Sequence, residues 1–251
     1  MLVVLGRAPA DREAVARAAR AVGLPPVDLR MRAQGLLPKV LHTDADGERA
    51  RRLVDALVAE GAGAFLLDPA TIGRAPRLYA RSLAWTEDGF AAIDGLGRSH
   101  PCPFAAIRLV QKGRVTHTET NEVVRTEKKF AVGRAVLSGG LMVSKTVETK
   151  AIESREHRSA VLLVQRNDGG EEIALSEGHV DFRFLGAEMA PTSMVNLDRT
   201  LAALRARHPT LPVDDRAFQG PFLLGVPKVG PDPTELAFAI LAAAQAGEGS
   251  G

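Results

Sequence analysis

Aromatic side chains are scarce in this chain of 251 residues, at 4% of the total, which leaves few rings on which single-stranded nucleic acid could stack. Neither sign of charge prevails: 32 basic against 30 acidic residues give a net charge of +2. No global field marks the chain for a nucleic-acid partner. Cysteine occurs once, at Cys102, so an intrachain disulfide and a cysteine-built zinc cage are both excluded. That usage suits a reducing compartment, and a cytoplasmic location is expected. The start of the chain has four apolar residues in a row without a charged segment before them, which does not read as a secretory signal. Long apolar runs are missing too. The longest uncharged run, residues 236–247, has twelve residues, short of the roughly 20 that span a bilayer.

What is present is ordinary globular composition, 45% hydrophobic and 25% charged, enough for a core of its own. Residues 2–5 are Leu-Val-Val-Leu, bounded by Gly6 and Pro9, and read as a buried strand. Asp11 is an N-cap before a helix in which Val15, Ala18, Ala19 and Val22 recur at helical spacing, with Gly23 as its stop. Pro25 and Pro26 open a second short helix, ended by Gly35. A strand follows at 38–42. Asp44 or Asp46 then caps a third helix with the stripe Ala50, Leu53, Val54 and Leu57, and a strand at 64–67 completes a βααβαβ order.

Within this segment, Val22-Gly23-Leu24 precedes the second helix, Leu37-Pro38-Lys39-Val40 opens the second strand, and Glu60-Gly61-Ala62-Gly63-Ala64 closes the third helix. The pattern, over residues 3–68, resembles the C-terminal domain of the bacterial ribosomal stalk protein, whose α/β plan recurs in the ClpS protease adaptor. The resemblance implies a stalk-protein/ClpS-like domain at 1–72. Stalk proteins present a lysine and an arginine on the first helix to translation factors. The matching positions are Ala16 and Ala19, which argues against that partner.

Pro69, Gly73 and Pro76 are linker chemistry, and a domain boundary is expected near 70–78. Beyond it the pattern alternates: 83–86, the turn Glu87-Asp88-Gly89, then 90–93, the turn Asp94-Gly95-Leu96-Gly97, and a strand at 103–110. Later strands are expected at 160–165, 172–176 and 180–185. A helix capped by Thr192 or Ser193 follows, with Met194, Leu197, Leu201 and Leu204 on one face. Strands meandering to a closing helix suggest a small open barrel plugged by it. The order, with Pro103-Phe104-Ala105-Ala106-Ile107, is similar to bacterial pleckstrin-homology-like domains, the alternative being another α+β domain with an antiparallel sheet. The expected fold is thus α+β: the βααβαβ domain, a mainly antiparallel barrel-like domain at 78–210, and an extension at 211–251 whose helix begins at Pro233 and docks through Phe238, Leu241 and Ala242.

Residues 114–159 interrupt the barrel pattern. Two arms rich in Thr, Glu and Lys, 115–129 and 145–159, flank an apolar insert at 130–144. β-Branched residues and alternating charges read as a two-stranded ribbon. Its tip would carry Phe130, Val132, Val136, Leu137, Leu141, Met142 and Val143, bracketed by Lys128, Lys129 and Lys145. Leaving such a patch wet costs about 25 cal/mol per Å² of apolar area, so an uncovered patch marks a binding surface. The alternative is that the tip folds back on its own chain. Basic residues around an apolar insert are also how a peripheral protein grips an anionic membrane.

Local catalytic chemistry does not emerge. The six histidines, at 42, 100, 117, 157, 179 and 208, lack metal-ligand spacing. His100 and Cys102 lie two apart, yet Pro101 and Pro103 flank the cysteine and no third orienting group is evident, so a buried small cysteine is expected. Ser138-Gly139-Gly140 lacks the lysine of a phosphate loop. No catalytic residue, metal or cofactor is therefore expected. The sequence points to a non-enzymatic interaction or scaffold protein that binds another protein or itself. Membrane-surface binding, and an enzyme whose site is assembled from distant residues, are the alternatives.

Overall fold

The computed structural model describes residues 1–74, 76–130, 144–220, 222, 226–227 and 233–248; for 116–130, 144–157 and 247–248 the backbone alone is described. The fold is α+β. The chain divides into two compact units, Met1–Val115 with Ser159–Gly251, and Thr116–Arg158.

The first unit opens with β1 (Leu2–Arg7), α1 (Arg12–Ala21), α2 (Pro26–Ala33), β2 (Lys39–Thr43), α3 (Gly47–Ala59) and β3 (Gly63–Leu67). Local chemistry places these elements. Asp11 caps α1 by accepting from the Ala14 amide at 2.7 Å, and Gly23, at φ +69°, turns the chain so that the Leu24 amide reaches Ala19 O. Of the two candidate caps for α3, Asp46 takes the role, accepting from the Glu48 and Arg49 amides. The strands form an antiparallel sheet in the order β2-β1-β3. Both faces of β1 are buried. Val3 and Leu5 pack with Ala18, Leu29 and Leu57 of the helices, whereas Leu2 and Val4 face the opposite way.

The rest of the unit holds β4 (Arg77–Tyr79), β5 (Ser82–Trp85), β6 (Gly89–Ile93), β7 (Ser99–Pro103), the start of β8 (Ile107–Phe130), the end of β9 (Ser144–Arg166), β10 (Glu172–Ser176), α4 (Ser193–Arg207), β11 (Val213–Asp214) and α5 (Pro233–Glu248). Their order is β5-β6-β7 in one sheet and β11-β8-β9-β10-β4 in the other; β11 runs parallel to β8, and β4 parallel to β10. Among the described residues no closed barrel forms.

Two local expectations are corrected, and one strand is added. The strand expected at 103–110 begins only at Ile107, because residues Phe104–Ala106 form a single 3-10 turn whose Phe104 amide donates to Asp88 O. A strand at 99–103 went unread because it carries Pro101 and Pro103; as β7 it is an edge strand, where a missing ladder donor is tolerated. The strand expected at 180–185 is replaced by a 3-10 segment at 182–188 started by Asp181, whose carboxylate accepts from the Arg183 amide.

The five-stranded sheet is buried on both sides. Leu162, Val164, Ile173 and Leu175 share a core with Leu197, Leu201 and Leu204 of α4 and with Leu83, Phe90 and Cys102 of the smaller sheet. The alternate residues Val161, Leu163 and Ala174 meet Leu236, Phe238, Ile240 and Leu241 of α5, and the same core includes Leu2 and Val4. Helix α5 therefore lies between two sheets. This explains why it is apolar on nearly every side instead of showing one stripe. Each large side chain so buried contributes roughly 1.5–3 kcal/mol. At its first turn, Glu235 joins Glu172 of β10 in holding Arg77 of β4, at 2.6 and 3.1 Å. Burial works against the charge on Arg77, and the two carboxylates outweigh it and keep it protonated.

Candidate functional site

The ribbon read from the Thr-rich arms belongs to β8 and β9, strands of 24 and 23 residues that are hydrogen-bonded neighbours. The arms, the part of the strand expected at 103–110 that begins at Ile107, and the strand expected at 160–165 are thus continuous elements, with no break at 114 or 159. The unit Thr116–Arg158 contains the strand segments 116–130 and 144–158. Lys128, Lys129 and Phe130 stand at the end of β8 and Lys145 near the start of β9, with their side chains outside the description. Val132, Val136, Leu137, Leu141, Met142 and Val143 lie outside the described residues.

Where β8 runs through the first unit, residues 111–114 are held by α4, α5 and the Phe218 ring. Gln111 is fully buried and its amide donates to Phe238 O at 3.0 Å. Lys112, 8% exposed, pairs with Asp198 of α4, and its ammonium sits 4.2 Å from the centre of the Phe218 ring. The Arg114 guanidinium lies 4.3 Å from the same ring, and its carbonyl accepts from Thr234 Oγ1. Two cations over one ring, one of them desolvated, make a firm anchorage. None of Gln111, Lys112 or Phe218 was singled out from the sequence. The available signal was polar residues inside an apolar strand run.

His42, His100, His208 and Cys102 sit in structural settings. Cys102 is 1% exposed, and burial pushes its thiol up to about 11, the opposite of what a nucleophile requires. His100, on the same strand, lies 3.2 Å from Asp94. His42 pairs with Asp44 at 3.4 Å, and the His208 ring stacks at 5.8 Å on Phe104. Burial would raise Asp94, but the Arg98 amide and guanidinium, His100 and the Leu96 amide hold it well below the usual carboxylate range. Glu172 and Asp214 are also engaged, the first with Arg77 and the second with Arg216 at 2.6 Å. Among the described residues, no group of three His, Cys, Asp or Glu could hold a metal ion, and no helix is long and apolar enough to cross a membrane. The chain matches no protein-family model, no curated protein and no solved structure.

Proposed function

We propose that this chain is a non-enzymatic interaction protein of the cytoplasm whose contact element is the ribbon formed by β8 and β9, with the apolar run 130–144, which lies between the two arms in sequence, as the surface that meets another protein or a second copy. The observation that carries this reading is the pair of long neighbouring strands around that run, together with the anchorage of residues 111–114. The N-terminal module is read as stalk-protein/ClpS-like, supported by its βααβαβ order. The second module is read as pleckstrin-homology-like and barrel-like, supported by two sheets sharing one core closed by α4.

The test is photocrosslinking in native extract with a photoreactive residue at 137, compared with one at Leu96, which is 79% exposed and lies outside β8 and β9. Discrete protein adducts at 137 that are absent at 96 are expected. The same adducts at both positions, or none at 137, would contradict the reading. An anionic-vesicle arm separates the membrane alternative, which requires co-flotation lost in Phe130→Asp.

A further inference from the structure

The face of the five-stranded sheet that packs on α5 ends in a row of polar side chains. Glu172 of β10 pairs with Arg77 of β4, and the pairing of Ile173 with Val164 puts Gln165 of β9 next to Glu172 on the other side. Arg108 of β8 extends the row through a 2.6 Å hydrogen bond from Nη2 to Gln165 Oε1. The row borders a cleft of about 280 Å³ whose apolar wall includes Leu67, Ile72, Phe238, Ala242 and Ala243.

Buried amides decide what this row offers to the cleft. Phe238 O can only accept, so the Gln111 amide nitrogen faces it. Gln111 Oε1 must then face Gln165, and it accepts from Nε2 at 3.0 Å. That leaves Gln165 Oε1 as an acceptor aimed at β8, where Arg108 supplies the donor. Reversing either amide would set acceptor against acceptor or donor against donor inside the protein, where Gln111 and Gln165 are 0% and 5% exposed. The relay therefore orients the Arg108 guanidinium while using one of its five N–H groups. Among the described residues Arg108 has no carboxylate partner. Arg77 differs: Glu172 takes Nε and Nη2 at 3.3 and 3.1 Å, and Glu235 takes Nη1 and Nη2 at 2.6 and 2.9 Å. Its charge is already consumed.

From this geometry we infer that the cleft binds a small monocarboxylate with an apolar body, its carboxylate on the Arg108 fork and its hydrocarbon against Phe238, Ala242 and Ala243. A planar guanidinium matches a carboxylate in two parallel hydrogen bonds. Two arginines and two glutamates leave the lining with no net charge. A phosphoryl dianion would bring its second charge toward Glu172 and Glu235, so the single carboxylate is the better complement. The volume, about 280 Å³, lies just below the roughly 300–1,000 Å³ that accommodates drug-sized ligands, which sets a short hydrocarbon.

Calorimetric titration of the whole chain with 4-methylpentanoate, 4-methylpentylammonium and inorganic phosphate tests the assignment. Saturable binding of the carboxylate alone is expected. Arg108→Gln should weaken it at least tenfold while its urea-unfolding midpoint stays near that of the wild type. Ala243→Phe, which fills the apolar end and leaves Arg108 in place, should weaken it as well. Absent saturable binding of 4-methylpentanoate, phosphate binding as tightly as the carboxylate, or unchanged affinity in both variants would each overturn the inference.

Discussion

A β-carbon placed on Gly113 would stand 2.4 Å from Cζ of Phe238 and 3.0 Å from Cγ2 of Thr234. Strand β8 and helix α5 approach this closely only because residue 113 has no side chain. The ring belongs to a packed helix and cannot swing away cheaply, since Phe238 is 2% exposed. Gly113→Ala is therefore expected to destabilise the protein by about 1–3 kcal/mol through overpacking, read from urea unfolding. A variant as stable as the wild type would show that α5 does not hold the position described.

Arg77 gives a second expectation. With its side chain 15% exposed, between glutamates at 20% and 15%, replacing it by a neutral residue leaves two partly buried carboxylates uncompensated. Arg77→Met should cost about 3 kcal/mol. The triple variant Arg77→Met, Glu172→Leu, Glu235→Leu should recover much of that loss, because it removes the stranded charges along with the pair. Equal losses in the two variants would contradict the account.

Asp94 makes stability depend on pH. Its Oδ1 accepts from the Leu96 and Arg98 amides at 2.8 and 2.9 Å and its Oδ2 from Arg98 Nε at 2.7 Å, so its folded-state pKa lies below its unfolded value. A depressed carboxylate contributes stability above its unfolded pKa of about 3.9 and loses that contribution as pH falls through the folded value. The stability gap between wild type and Asp94→Asn should be widest near neutral pH and narrow steadily below about pH 4. Thermal or urea melts at several pH values measure it, and a gap independent of pH would refute the assignment.

How much of this was legible in the sequence varies with how local the signal is. Asp11, Gly23 and the α3 stripe act within a few residues of themselves, and the N-terminal element order follows from them. The competition between Asp44 and Asp46 for the α3 cap was open until the geometry resolved it: Asp44 Oδ1 accepts instead from the Asp46 amide at 3.0 Å. Strand β7 was hidden by its prolines, which local propensity counts against a strand and which edge position forgives. Helix α5 was read as a docking helix, yet its place between two sheets depends on Leu2, Leu163 and Leu241 meeting across most of the chain. The relay of Gln111 and Gln165 was illegible for the same reason, since nothing near either glutamine announces its partner 54 residues away. Of the candidate site, the strand arms were foreseen and their anchorage was not.

The proposal that the apolar run 130–144 is a contact surface is tested most directly by thiol labelling. Cys102 is the one cysteine of the sequence, and its burial and raised thiol pKa make it slow to react in the native state. Leu137→Cys thus introduces a single fast reporter. Alkylation of residue 137 by a polar maleimide at the rate of a free thiol, slowed when partner or excess unlabelled chain is added, is the expected result. Protection of residue 137 as complete as that of Cys102 in a dilute, monomeric sample would contradict the claim.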